Sequence, residues 1–260
     1  MSKIGFITIQ QANFGSVLQT FATSYILKKM GHQPVLIDYK YPTDYHRKNA
    51  MGREAKRYVA PFVERVWKNI FKCTYRLLHG MPVGQASYQK WANLKSQEKF
   101  IQFQNQIEKT DKSYDKDSII KNPPVFDVYM TGSDQTWNPR YYANDYSFLL
   151  NFAPDDKLKV AYAASFGTSE FYPQYAKDYS RYLKRYDAIS TRESTGVKMT
   201  RDLAGKVAIH CCDPTLLLTK EDWMKFAAEK NSIEGKYVLV YIQASAINPY
   251  PYADYLVKRI

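Results

Sequence analysis

The first 38 residues constrain the fold more than any other stretch. An apolar run at 4–9, Ile-Gly-Phe-Ile-Thr-Ile, is followed by a turn at Asn13-Phe14-Gly15-Ser16. Apolar residues then recur at Val17, Leu18, Phe21, Ile26 and Leu27, the spacing of a helix over 17–30. Gly31 follows, where helix ends favour a residue that tolerates the left-handed conformation, and a second strand-like run occupies 35–38. Strand, helix and strand in that order predict a parallel pair joined by a right-handed crossover. Parallel strands need both faces covered, so the rest of the chain should bring more strands and helices.

It does. Strand-like runs lie at 125–130, 160–164, 186–190, 207–209 and 237–242, and helical patterns at 171–183, 193–203 and 219–228. Ser190-Thr191-Arg192-Glu193 fits the pattern in which a hydroxyl and a carboxylate three residues apart cap a helix, and Thr219 with Asp222 fits it more weakly. Between the second and third strands the pattern changes. Val59, Val63, Val66, Ile70 and Leu77 recur at helical spacing among Arg57, Arg65, Lys68, Lys72 and Arg76, a Gly/Pro break covers 80–84, and a second helical segment covers 88–107. We therefore expect an α/β fold, a Rossmann-like parallel sheet with helices on both faces. Residues 1–232 form one domain with a helical insertion at about 50–110. Residues 233–260 open a further α/β unit, and since one strand and the start of a helix cannot stand alone, a second lobe is expected to be truncated.

Composition excludes several classes. The chain has 260 residues with 45% hydrophobic and 24% charged content, the profile of a water-soluble globular protein, and no apolar run approaches the roughly 18 residues of a membrane span. The start Met1-Ser-Lys-Ile-Gly-Phe-Ile-Thr-Ile reads as a strand rather than a secretion signal. A formal charge of +12 draws anions, but no zinc-finger spacing, aromatic RNA-binding segment or long Lys/Arg run supports nucleic acid. Cys73, Cys211 and Cys212 give neither a disulfide framework nor a metal clip, which fits a reducing cytoplasm. The 23 tyrosines suit stacking on sugar rings as well as ordinary packing.

Chemistry concentrates at strand exits. In open α/β sheets ligands bind beyond the carboxyl ends of the strands. The run at 125–130 exits into Gly132, Ser133, Asp134, Gln135, Trp137 and Asn138, more polar and aromatic density than a core strand requires. Asp134 there suits a general acid or base, or a hydroxyl acceptor, against the plainer role of turn former. Arg192, after the run at 186–190, suits a bidentate clamp on carboxylate or phosphate, with a salt bridge to Glu193 or Asp187 as the alternative. Asn13, Gly15 and Ser16 stand where a helix N-terminus offers free N–H groups. Ser165, in Ala163-Ala164-Ser165-Phe166-Gly167, marks another strand exit that admits close approach. The pair Cys211-Cys212 reads as core packing, His32 and His210 as structural, and no His, Cys and carboxylate set has metal-ligand spacing.

Taken in order, these segments resemble the polysaccharide pyruvyl transferase family. The matching pieces are Lys3-Ile-Gly-Phe-Ile-Thr8, Asn13-Phe-Gly-Ser-Val-Leu-Gln19, Gly31-His32 with Ile37-Asp38-Tyr39, and Phe126 through Pro139. Tyr162-Ala-Ala-Ser-Phe-Gly167, Asp187-Ala-Ile-Ser-Thr-Arg-Glu193 and Asp213-Pro-Thr-Leu-Leu-Leu218 continue the match. The resemblance implies two facing Rossmann-like halves, as in GT-B glycosyltransferases, and transfer of pyruvyl from phosphoenolpyruvate onto two sugar hydroxyls as a ketal, in the biosynthesis of a bacterial exopolysaccharide or cell-surface glycan. It implies Arg192 as donor binder, Asp134 as acid/base or acceptor ligand, and Asn13, Gly15 and Gln19 on the acceptor side, with no cofactor beyond the phosphoenolpyruvate substrate. Members also draw basic residues from a C-terminal half that this sequence lacks, which puts the activity of these 260 residues in doubt. Two other readings remain open. One is a nucleotide-sugar glycosyltransferase of the same two-lobed form. The other is a non-catalytic adaptor for membranes or polyanions, built on the basic segment 53–78 with Trp67 and Phe71. The expected setting is the cytoplasm, with contact at the inner membrane face if the saccharide acceptor is lipid-linked. Nothing in the sequence sets the oligomeric state.

Overall fold

A computed structural model describes residues 1–11, 13–40, 70, 73, 74, 77, 78, 98, 100–142 and 145–227. The chain divides into two units, Met1–Asn49 with Ala92–Lys220, and Ala50–Trp91 with Glu221–Ile260. The first carries a six-stranded sheet: β1 (Lys3–Ile7), β2 (Gln33–Leu36), β3 (Val128–Thr131), β4 (Leu158–Ala164), β5 (Ala188–Thr191) and β6 (Ile209–His210). Every pair is parallel and the spatial order is β2-β1-β3-β4-β5-β6. This is the open, parallel α/β sheet expected from the opening strand–helix–strand.

Helix α1 (Phe14–Lys29) joins β1 to β2, and it starts three residues earlier than its apolar pattern suggests. The reason is Asn13, whose side chain accepts from the Ser16 N–H at 2.9 Å and caps the first turn. Gly31, at φ 84°, ends the helix as expected. Helix α2 (Lys116–Lys121) has no apolar stripe to announce it; a reciprocal cap between Asp115 and Ser118 starts it. Helix α3 (Pro139–Tyr142) follows β3, α4 (Ala176–Leu183) follows β4, and α5 (Ser194–Ala204) follows β5, ending at Gly205 with φ 64°. Helix α4 begins later than the expected 171 because a 3-10 turn at Pro173–Tyr175 precedes it.

The bounds of β2, β4, β5 and β6 each differ from the expected ones by one or two residues, and two further expectations need fuller correction. The third strand starts at Val128, not at 125. Val125 is exposed, the Phe126 ring packs over Gly5 so closely that a Cβ there would lie 2.0 Å from it, and Asp127 accepts from the Lys3 N–H at 2.7 Å. These residues brace the foot of β1 instead of extending β3. Ser190 does not cap α5 either. It lies within β5, where its hydroxyl accepts from the Ala163 N–H at 3.0 Å and donates to the Ala161 carbonyl at 3.1 Å, tying β5 to β4. Glu193 is the N-cap residue of α5 and makes no side-chain capping bond.

Side chains alternate between sheet faces, and neighbours on β3 show it. Tyr129 joins the main core, where Trp137, Phe148, Phe166, Tyr179 and Tyr186 meet Leu183 of α4 and Met199 of α5. Met130 points the other way, toward Thr23, Ile26 and Leu27 of α1, across an apolar groove of about 470 Å³. Trp137 plugs the core. It is fully buried, its ring lies 5.3 Å from Phe166 and 5.6 Å from Tyr186, and its indole N–H donates to the Phe148 carbonyl at 3.1 Å. Truncating such an aromatic to alanine typically costs about 3–5 kcal/mol.

In the second unit Ile70, Cys73, Thr74, Leu77 and Leu78 are helical, and α6 (Lys220–Met224) runs into it from the first. The strand expected at 237–242, the further unit expected at 233–260 and nearly all of the basic stretch 53–78 lie outside the described residues. No helix among the described residues is long and apolar enough to cross a membrane.

Candidate functional site

The sheet reverses its direction of growth between β1 and β3: β2 lies on one side of β1, and β3 to β6 proceed on the other. Helices leaving such neighbours pack on opposite faces, so a crevice opens beyond their carboxyl ends. At this reversal the Thr8 hydroxyl donates to the Ser133 carbonyl at 2.9 Å and accepts from the Gln19 amide at 2.9 Å. The exit of β3 is thereby fastened to β1 and α1.

Past β3 the backbone takes an unusual path. Gly132 has φ 106°, and a Cβ there would stand 2.1 Å from the Tyr162 carbonyl oxygen, so only glycine lets β3 and β4 approach this closely. Asp134 has φ 72°, a conformation Asp accepts more readily than most residues. Its carbonyl accepts from the Ser165 N–H at 3.0 Å and its carboxylate from the Gln135 N–H at 2.8 Å. The Trp137 N–H donates to the Ser165 carbonyl at 3.1 Å, stitching the two strand exits together.

The charged groups converge on this platform. Arg192 leaves β5 with Nη1 3.5 Å from Asp134 Oδ1 and 3.5 Å from Asp213 Oδ2, and with Nε 3.7 Å from Glu193 Oε1. Asp213, just past β6, accepts from the Ser133 hydroxyl at 3.0 Å and, on its other oxygen, from the Thr215 N–H at 3.1 Å and hydroxyl at 2.8 Å. The Ser165 hydroxyl donates to Glu193 and accepts from the Gly167 N–H at 3.0 Å. His210 Nε2 lies 3.1 Å from the Arg192 carbonyl, so that nitrogen carries the proton. Tyr162 donates to the Cys212 carbonyl at 3.2 Å, and burial, with the Cys211 and Cys212 thiols beside it, pushes its phenol far above the ordinary range. The side chains of Arg192, Asp134, Glu193 and Asp213 keep 28, 30, 37 and 23% of their surface exposed, so an incoming molecule can touch them.

Of the residues singled out from sequence, Ser133, Asp134, Ser165 and Arg192 therefore meet in one cluster. Gln135 and Asn138 flank it, joined by the Asn138 amide donating to Gln135 at 2.8 Å, and Gly167 packs against both. Asn13 and Gly15 are exposed at the start of α1, whereas Ser16 and Gln19 are buried, Ser16 donating to the Ile9 carbonyl at 2.5 Å. Trp137 belongs to the core. Asp213, Glu193 and Thr8 complete the cluster without having been chosen as ligands. Asp213 follows a strand as Asp134 does, the signal that would have found it. Among the described residues no group of three His, Cys, Asp or Glu side chains is arranged to hold a metal ion.

The family model for polysaccharide pyruvyl transferases matches residues 13–258, a span that contains every member of this cluster except Thr8. The chain belongs to the polysaccharide pyruvyl transferase family. Comparisons with curated proteins and with solved structures gave no significant match. Membership makes the chain transferase-like, with a polysaccharide as the acceptor its family implies. The exits of β3, β5 and β6 bring one guanidinium and three carboxylates together within this matched span.

Proposed function

We propose that the chain transfers pyruvyl from phosphoenolpyruvate to two hydroxyls of a saccharide, giving a cyclic ketal and inorganic phosphate. The observation that carries this is the convergence of Arg192 with Asp134 and Ser133 at adjacent strand exits. The methylene carbon of the donor takes a proton, leaving an oxocarbenium-like carbon that one saccharide hydroxyl attacks. The bond from that carbon to the phosphate oxygen then breaks, phosphate departs, and the second hydroxyl closes the ring. Of the two hydroxyl protons lost, one balances the new methyl group and the other leaves with phosphate.

Each residue type suits a step. Arg192 offers planar donors to the carboxylate or phosphate of the donor. Asp134, 3.5 Å from that guanidinium, takes a hydroxyl proton and returns it to carbon. Asn13, Gly15 and Gln135 reach the surface and meet the acceptor, while Ser16, Gln19, Gly132, Trp137, Asn138 and Ser165 shape the loops behind them. Phosphoenolpyruvate is an intracellular metabolite, so the reaction belongs in the cytoplasm, and a saccharide carried on a lipid at the inner membrane face fits it.

The test supplies phosphoenolpyruvate and a panel of saccharides, following free phosphate and the new ketal methyl signal by NMR. Acceptor-dependent phosphate release with that signal is the expected result. UDP release from a UDP-sugar, with no ketal from phosphoenolpyruvate, would replace this reading with glycosyl transfer.

A further inference from the structure

Three carboxylates surround one guanidinium, an odd environment for a group meant to bind an anion. All three contacts to Arg192, at 3.5, 3.5 and 3.7 Å, are longer than the roughly 2.7–2.9 Å of a strong charge-assisted bond. The guanidinium is shared among its neighbours and locked to none. The carboxylates, by contrast, are fixed by uncharged donors. Asp213 is held by Ser133 and Thr215, Glu193 by Ser165, and Asp134 by the Gln135 N–H. When a ligand takes the guanidinium, these carboxylates stay in place and face it.

We propose that Asp213, with Asp134 and Glu193, determines anion specificity by competing for Arg192, so that simple anions are rejected. Among the described residues, inorganic phosphate gains one guanidinium there, that of Arg192, and meets three fixed negative charges. A donor with a second anionic group, bound beside an acceptor, adds contacts outside the cluster and can displace them. This is discrimination by a repulsive element, and among the three Asp213 is the most firmly held. The inference rests on Arg192 being the anion site of the proposed transferase, but not on which donor it takes.

The test measures inorganic phosphate binding by calorimetry for the parent, Asp213→Asn, Asp213→Glu and the double variant Asp213→Asn/Arg192→Ala. Asparagine keeps an oxygen for the Thr215 N–H and hydroxyl, turns its NH2 toward the Ser133 hydroxyl, which can still donate to the Ala163 carbonyl, and removes the charge. Loss of one nearby like charge at a partly exposed site should tighten phosphate binding about tenfold. Asp213→Glu should stay within about twofold of the parent, and the double variant should lose the gain. Thermal unfolding checks that Asp213→Asn is folded; if it is not, Glu193→Gln carries the same expectation. Unchanged or weaker phosphate binding without the charge, or a gain that survives loss of Arg192, overturns the proposal. Absence of ketal formation with the gain intact supports it and removes only phosphoenolpyruvate as donor. Ketal formation without the gain overturns it and leaves the donor standing.

Discussion

Gly132→Ala is the most demanding test of how the site is built. The new Cβ would stand 2.1 Å from the Tyr162 carbonyl oxygen, 3.1 Å from its carbon and 3.3 Å from the Ala164 nitrogen. All three atoms are backbone of β4, so no side chain can swing aside, and β3 and β4 must part. An L-residue at positive φ costs roughly 1–2 kcal/mol, and forcing atoms into a packed interior roughly 1–3 kcal/mol more. The sum is about 2–5 kcal/mol. For a unit of this size a loss of about 3 kcal/mol lowers Tm by roughly 6–12 °C. Gly31→Ala is the matched control, because Gly31 has φ 84° with nothing within 4 Å of the added Cβ. It should lose only the conformational part, about 1–2 kcal/mol. Denaturant unfolding of both variants measures the difference. Equal losses would show that β3 and β4 are not in close contact here, and the platform under Asp134 would be wrong.

Arg192→Ala should weaken phosphoenolpyruvate binding about 10- to 100-fold by calorimetry, since a hydrogen bond to a charged group contributes about 1.5–3 kcal/mol. Its stability should fall by less than about 1 kcal/mol, because its ion pairs are long and partly solvated; equal donor affinity would refute the assignment. Asp134→Asn should keep the fold, as Asn also tolerates φ 72°, and should lower turnover about 10²–10⁴-fold. Unchanged turnover would leave Asp134 only a turn former. Alkali should unfold the protein. Burial raises the phenols of Tyr39, Tyr146, Tyr179 and Tyr186 above their unfolded value near 10, so the stability they contribute is complete below pH 10 and is lost as pH climbs beyond it. In a 295 nm titration these four should ionise together with loss of native circular dichroism, and ionisation of all 23 tyrosines in a still-native protein would contradict their burial.

The parallel sheet was legible because strands buried on both faces read as continuous apolar runs, and β1, β3, β4 and β5 each sit within or beside such a run. Their ends were not legible. Nothing local in Val125 or Phe126 says that Phe126 will cover Gly5 rather than pair with β4. The Ser190 pattern matched a helix cap because capping chemistry is local, but pairing with β4 claimed that hydroxyl first. At the site, Ser133, Asp134 and Arg192 stood out because polar groups at strand exits have little structural reason to be there. Asp213 did not, since β6 is only two residues long and the cysteine pair before it reads as core packing, whereas Cys211 is only half-buried and Cys212 is exposed. Trp137 misled in the other direction. Its place among polar residues at a strand exit points to a substrate contact, whereas its ring fills the core and its N–H is spent on the Phe148 carbonyl.

The central claim is that the exits of β3, β5 and β6 form one anion-binding surface around Arg192. Hydrogen–deuterium exchange of the intact chain with and without phosphoenolpyruvate tests it most directly. Peptides covering 131–138, 190–197 and 211–215 should gain protection together, and Arg192→Ala should abolish all three gains. Protection confined to other segments, or gains that persist in Arg192→Ala, would contradict it.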